Sequence, residues 1–343
     1  MHNINFNQQT GKHSFYSLQQ KAWHGYGQIS DVPLSSREVI IQSQLNYTVQ
    51  KEPVTYNMPS GKQIVCDNTF YTFRTDTEDI LGEGLSKDYK VLQNVDAFKF
   101  FDEIVKGEGI IYETAGALGK GERIFITARL PKYIKVGKDD IIEQYLFLTT
   151  SHDGRLGTIA FTPVRIVCNN TLNAAMANCN REIKINHNGN IEEQLKEVPK
   201  IMGMVNTLSP LMEQAFNHWA KLPIQDKEVK RLIEIALAPN KETLDKIRGG
   251  REDEASSRYK NQVWGAFGYA MQADSQQLPT TKGTLFGAYN AVTGYYQNVN
   301  SYNDKDDKLN AILCGGTAQK KSQLAFDLCM RFAKEGADSL ILN

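Results

Sequence analysis

The turn His152-Asp153-Gly154, inside "SHDGRLGTIAFTPVRIVCNNTL" (Ser151–Leu172), is where this sequence comes nearest to an active-site loop. An imidazole can serve as a general base, and Asp153 or another carboxylate could orient it. The same residues are also a strong turn signal, because Asp-Gly readily adopts the backbone of a tight connection. A base further needs a nucleophile or a substrate groove, and the neighbouring sequence supplies neither. A turn is therefore the preferred reading and no catalytic residue is assigned. An enzyme acting on nucleic acid or nucleotide through His152 and Asp153 is kept as an alternative.

Other chemistries find less support. The histidines (His2, His13, His24, His152, His187, His218) never fall at HxxH or HxxxH spacing, and no CxxC pair accompanies them. Zinc wants a compact set of nitrogen or sulfur ligands, so no metal is expected. The glycines of "GALGKGER" (Gly116–Arg123) lie between two strand-like runs. Without a helix N-terminus they lack the amides and dipole of a phosphate loop. No phosphate-loop or GxSxG sequence occurs, and no cofactor is expected.

A more diffuse constellation combines cations with rings. Arg123, Phe125 and Arg129 share one alternating face of "RIFITAR", and Tyr145 and Phe147 can extend it on the next strand. Lys120, Lys132 and Arg155 fall in adjoining turns, and Arg165 on a fourth strand. Single-stranded nucleic acid needs such a surface: cations hold phosphates, and rings stack bases without reading them. The bland alternative is that the rings pack under helices and the arginines pair with glutamates.

The elements that must position these residues fall into two kinds. Before about residue 190 the chain carries short β-type runs and glycine turns; the clearest is the hairpin "IIYETAGALGKGERIFITARL" (Ile110–Leu130). Further strands are expected at Ile141–Thr150 and Thr158–Cys168, with Pro163 marking an edge or bulge. Earlier ones fall at Tyr47–Val54, Gln63–Cys66 and Tyr71–Arg74, and a helix over Asn94–Val105. Asn169 or Asn170 can cap a helix from near Thr171, whose small residues Ala174, Ala175 and Ala177 suit close packing.

Later, Ile191, Leu195, Val198, Met202, Val205, Met212, Phe216 and Trp219 recur at helical steps, with Pro199 and Pro210 expected to break or kink the run. More helices follow, and Gly287 and Gly294 inside one of them point to close packing. The expectation is an α+β protein: an antiparallel-sheet domain over 1–188 and a mainly helical domain over 189–343.

The totals agree with a folded intracellular protein. Over 343 residues, 39 basic and 39 acidic groups cancel, so no whole-molecule field announces a partner. Five scattered cysteines suit a reducing compartment, and the polar N-terminus has no signal-type apolar core. A cytoplasmic protein without a membrane span is expected.

With those residues in place, the chain resembles the phage/plasmid-like protein family, a domain-of-unknown-function family of bacterial mobile elements. The likeness is carried by "LSKDYKVLQNVDAFKFFD", "YETAGALGKGERIFITARLP", "SHDGRLGTIAFTPVRIVCNNTL" and "GTLFGAYNAVTGYY", which follow one another along most of the chain. The resemblance implies a phage, plasmid or integrated-element setting and no settled reaction. Together with the basic and aromatic strands it leads to an expected accessory protein of phage or plasmid DNA metabolism. That protein would bind single-stranded DNA, and an annealing homo-oligomer is one form it could take. Its contacts would be Lys120, Arg123, Phe125, Arg129, Lys132, Tyr145, Phe147, Arg155 and Arg165. A protein-binding anti-defence or virion-associated factor is the remaining alternative.

Overall fold

The computed structural model describes residues 2–22, 24–105, 109–162, 166–167, 169–178, 182–187, 198–302 and 317–340. Pro163, Arg165, Cys168, Cys179, Ile191, Leu195 and Cys314 lie outside the described residues. The chain is α+β, with its strands concentrated in the N-terminal half.

The strands are β1 (Phe6–Asn7), β2 (Lys12–His13), β3 (Phe15–Leu18), β4 (Gln28–Ser30), β5 (Val49–Asn57), β6 (Gln63–Arg74) and β7 (Ile80–Leu85). They continue with β8 (Ile111–Leu118), β9 (Arg123–Arg129), β10 (Ile134–Val136), β11 (Asp140–Ile142), β12 (Tyr145–Ser151), β13 (Gly157–Thr162) and β14 (Glu182–Ile185). Among the described residues the α-helices are α1 (Ser36–Gln42), α2 (Asn94–Val105), α3 (Asn169–Asn178), α4 (Val198–Trp219), α5 (Asp226–Leu237), α6 (Lys241–Arg248), α7 (Ser257–Gln272), α8 (Leu285–Tyr302) and α9 (Thr317–Glu335).

The chain divides into two compact units, one of 1–132, 143–175 and 179–205, the other of 133–142, 176–178 and 206–343. In the first, a seven-stranded sheet runs β14-β13-β12-β9-β8-β3-β4. Its pairs are antiparallel except β3 with β4, which is parallel. The expected hairpin forms its centre. Gly119 and Gly121 take positive φ in the turn between β8 and β9, which only glycine accepts without strain. One face buries Ile124, Ile126, Ala128, Leu146 and Leu148 against Val39 and Ile40 of α1 and Phe98 and Phe101 of α2. Ser35 caps α1, and Glu38 accepts a hydrogen bond from the Ser35 N–H in return (2.9 Å).

Strand pairing corrects one expectation. Ile141 and Ile142 do not continue into the third strand, because β11 pairs with β10 in a separate two-stranded sheet of the other unit. The described part of the fourth strand, Gly157–Thr162, lies between β12 and β14, and the edge or bulge expected at Pro163 falls outside the described residues.

A three-stranded sheet, β5-β6-β7, stands at the base of two of the larger sheet's turns. Thr72 Oγ1 donates to the His152 carbonyl (2.5 Å), and Arg74 Nη1 donates to the Lys120 carbonyl (3.1 Å) and to Asn5 Oδ1 (3.2 Å). Asp76 pairs with the buried guanidinium at 2.7 Å, and the Tyr47 ring lies 3.8 Å from it. Gly82 of β7 lets this approach happen: a Cβ there would stand 2.6 Å from both Asp153 Cα and the His152 carbonyl oxygen. Gly82→Ala is therefore expected to cost about 1–3 kcal/mol, because backbone on both sides cannot yield as a side chain would. Urea titration of the two proteins reads this directly; equal midpoints would mean that the two backbones are free to part.

The second unit is built on rings and aliphatics. Phe216, Trp219, Leu232, Ile233, Phe286 and Leu328 share one core, with Ile134 and Val136 of the small β10–β11 sheet. Asn217 fastens that sheet, donating to the Lys135 carbonyl (2.7 Å) and accepting from Gly137 N (2.9 Å). Pro210 lies inside α4 without ending it, and Pro199 occupies its first turn, where a missing N–H costs nothing. Gly287 is closely packed as expected, since a Cβ there would fall onto the Thr281 carbonyl. The surroundings of Gly294 lie outside the described residues.

Candidate nucleic-acid interface

The register of the central sheet is the one the alternation predicts. Arg123, Phe125, Thr127 and Arg129 share a face with Tyr145, Phe147, Thr149 and Ser151 of β12. That face is covered, and this overturns the stacking role of its rings. Phe125 and Phe147 are 0% exposed, and Tyr145 is buried with its hydroxyl on the Glu143 carboxylate. The cover is the approach to α3: Thr114 Oγ1 donates to the Ile166 carbonyl (2.5 Å), Arg123 reaches Asn173 (3.5 Å), and Leu172 and Ala175 are buried. Bases cannot stack on rings that water itself does not reach.

The cations of the expected set separate as well. Arg123 is half-buried, donating to Thr149 Oγ1 (3.3 Å), and burial, then the neighbouring Arg155 charge, lowers its pKa. Arg129 lies 3.4 Å from Glu143 and 3.7 Å from Glu113, the pairing the bland alternative foresaw. Arg155 is exposed and paired with Asp153 at 3.3 Å. Lys120 and Lys132 are exposed in their turns, and Arg165 lies outside the described residues.

His152 fares no better as a general base. Its ring is fully buried and its Nε2 donates to Asn94 Oδ1 (3.0 Å), since Asn94 uses its own amide on the Leu45 carbonyl (3.0 Å). Burial is the main cause that pulls its pKa down to about 3. The Asp153 carboxylate accepts from Ser151 Oγ (2.6 Å) and from the Arg155 N–H (3.2 Å), as a turn aspartate does. A base with no exposed atom cannot meet a substrate's proton.

Rings on an accessible surface occur instead in the N-terminal segment, within "NFNQQTGKHSFYSLQQKAWHGYG" (Asn5–Gly27). His13 stacks on Tyr26 with centroids 4.2 Å apart at 25°, and His24 stacks on Tyr26 at 5.3 Å and 21°. Phe6 meets His13 at 4.9 Å, and His2 meets His24 at 5.3 Å. Phe6 is 49% and Tyr26 41% exposed.

Each position has a local cause. Antiparallel pairing of β1 with β2 sets Phe6 across from His13. Tyr26 sits between Gly25 and Gly27, both at positive φ, in a turn that returns the chain to β4. Gly27 lies hard against Phe15, whose Cδ1 would be 2.6 Å from any Cβ added there. Lys21 runs alongside the turn, its Cε 3.5 Å from where a Gly25 Cβ would be. Lys12 and Lys21 are exposed. The segment is held to the central hairpin where Gly119 N donates to the Asn3 carbonyl (2.8 Å) and Asn5 Nδ2 to the Gly119 carbonyl (3.0 Å), next to Lys120.

Tyr26 is tied to His24. The Tyr26 N–H donates to His24 Nδ1 (3.0 Å), and His24 Nε2 lies 2.9 Å from the Val167 carbonyl. One nitrogen thus accepts and the other donates, which fixes a neutral imidazole with its proton on Nε2. Burial lowers its pKa foremost; the Val167 hydrogen bond opposes this, and the charges of His2 and His13 add to the lowering. Among the described residues no group of three or more His, Cys, Asp or Glu is arranged to hold a metal ion.

A model of a domain of unknown function, DUF932, matches residues 83–313. The chain belongs to the DUF932 family. No curated protein and no solved structure matches it. The DUF932 span takes in the central hairpin and much of the helical unit, but the ring cluster of residues 2–26 precedes it. The intervals between histidines speak only to metal ligation and so could not reveal this cluster. The available signal was the density of rings in Phe6–Tyr26 combined with a tyrosine between two glycines. No helix among the described residues is long and apolar enough to cross a membrane.

Proposed function

We propose that this DUF932 protein binds single-stranded nucleic acid through its N-terminal ring cluster, as an accessory factor of phage or plasmid DNA metabolism in the bacterial cytoplasm. The observation that carries this reading is the pair of exposed rings, Phe6 and Tyr26, gathered in one cluster with His13 and His24, Tyr26 stacked on both imidazoles and Phe6 tilted against His13. Stacked rings offer π-faces and edges to bases without regard to sequence, while Lys12, Lys21 and Lys120 are placed to hold phosphates. The mobile-element setting comes from the family resemblance. A homo-oligomeric, annealing form belongs to the same proposal and is read by light scattering with and without oligonucleotide.

Fluorescence anisotropy with labelled single-stranded oligonucleotides at low salt tests the proposal. Tyr26→Ala and Phe6→Ala are each expected to weaken binding by about 1–3 kcal/mol, roughly ten- to hundredfold. Lys21→Ala should weaken it more modestly and flatten the salt dependence. An unmodified protein that leaves the oligonucleotide free at low salt ends the proposal.

A second reading, a protein-binding factor, draws on the β5–β6 hairpin. Beyond a register shift between Pro53 and Thr55, Tyr56 pairs across with Ile64, and Tyr56, Met58, Ile64 and Val65 are all exposed. Exposed apolar groups clustered on a projecting ribbon are a common mark of a protein contact. A variant with Tyr56 and Ile64 replaced by serine would lose a partner in pull-down while keeping oligonucleotide binding, if this reading is the right one.

A further inference from the structure

We infer that His24 is a proton-operated latch on the Tyr26 turn: adding a proton to its Nδ1 opens the ring stack and raises affinity for single-stranded nucleic acid. The part concerning affinity rests on the binding reading above, whereas the latch itself is a property of the free protein.

Two hydrogen bonds make the latch. The neutral ring is matched on both sides, accepting the Tyr26 N–H at Nδ1 (3.0 Å) and meeting the Val167 carbonyl with Nε2 (2.9 Å). An imidazolium carries N–H on both nitrogens, so a protonated Nδ1 would present a donor to a donor. The Tyr26 amide would have to turn away, and Gly25 and Gly27, at φ 74° and 89°, give the turn hinge points on either side. Nothing comparable happens at Nε2, which donates in both protonation states. His24 would stay attached to the approach to α3 while Tyr26 comes free.

The surroundings sharpen the switch. His2, from the chain start, and His13, from β2, both oppose a charge on His24. Phe15 of β3 contributes an apolar edge at 5.1 Å. His13 and His24 both stack on Tyr26, at 4.2 and 5.3 Å, so a charge on His24 is added within the stack, where His13 opposes it. Burial holds the neutral form to a pH below the ordinary imidazole range. The signs of the two effects on binding agree. Opening exposes more of the Tyr26 ring for stacking, and the His24 imidazolium attracts phosphate.

The test combines two readouts on the full chain. Two-dimensional NMR of the free protein follows the Tyr26 amide and the His24 ring from about pH 7.5 to about pH 5. Both should move together with one midpoint, and His24→Gln, which keeps an acceptor and a donor but does not titrate, should hold the Tyr26 amide still. Anisotropy with a labelled oligonucleotide over the same range should show about a tenfold tighter Kd at the acid end, shrinking to under about twofold in His24→Gln. A Tyr26 amide indifferent to the His24 titration in the unmodified protein overturns the latch, whatever the binding data show. A shared titration with no oligonucleotide bound at any pH would leave the latch standing and remove the binding function.

Discussion

Phe147→Ala is expected to lose about 3–5 kcal/mol of folding stability and to leave oligonucleotide affinity unchanged wherever the variant is folded. The ring is fully buried in β12, between β9 and β13, on the sheet face that the approach to α3 covers. Truncation removes the transfer free energy of the ring and leaves a cavity that a seven-stranded sheet cannot close by local collapse. Phe125→Ala should behave alike, since its ring touches Phe15 and packs over Gly116. Thermal melts and anisotropy below the melting range separate the two effects. A variant that kept its melting temperature but lost affinity would return the nucleic acid to the central sheet and displace the N-terminal cluster.

The second large effect is with pH. His152 is held neutral with a pKa of about 3, whereas an imidazole in the unfolded chain titrates near its ordinary value of about 6.5. Between those two values the unfolded chain binds a proton that the native chain refuses. Stability is therefore full above about pH 6.5 and is lost progressively as pH falls towards about 3. This one group contributes roughly 5 kcal/mol over that window. His187 and His24 are lowered in the same direction, chiefly by burial, and add to the slope.

The penalty has a structural meaning. His152 joins Asn94 of α2 to the turn between β12 and β13, and its carbonyl accepts from Thr72 of β6, so charging it disturbs three elements together. His152→Gln, which can still donate to Asn94, should be close to neutral near pH 7 and should flatten the acid limb. Urea denaturation at pH steps from about 7 to about 4 reads both. Unchanged midpoints across that range, or an identical slope in the variant, would contradict the placement of His152.

Much of the local structure was legible from residue order, for reasons that act over short distances. The hairpin turn was readable because Gly119 and Gly121 accept backbone angles that other residues resist. The alternation of Ile124, Ile126 and Ala128 fixed one face of β9, because a strand turns each successive side chain to the opposite side. Asn94–Val105 emerged as a helix, and the later helices followed from apolar periodicity. The α+β class required nothing beyond these local preferences.

What alternation cannot say is whether the second face of a strand meets water or another layer. Arg123, Phe125, Thr127 and Arg129 read as half-solvated, yet Phe125 and Thr127 are buried, on a face where Ile166 and Asn173, some forty residues on in the chain, hydrogen-bond to Thr114 and Arg123. The same limit hid the candidate site. His2, Phe6, His13, His24 and Tyr26 have no shared period in sequence; a short hairpin and two positive-φ glycines bring their rings together. Local conformational preference and side-chain periodicity thus set the class and most elements of this protein. Which surfaces remain wet, and so which residues can touch a partner, was decided by contacts between distant segments, because burial belongs to the assembled layers and not to any one strand.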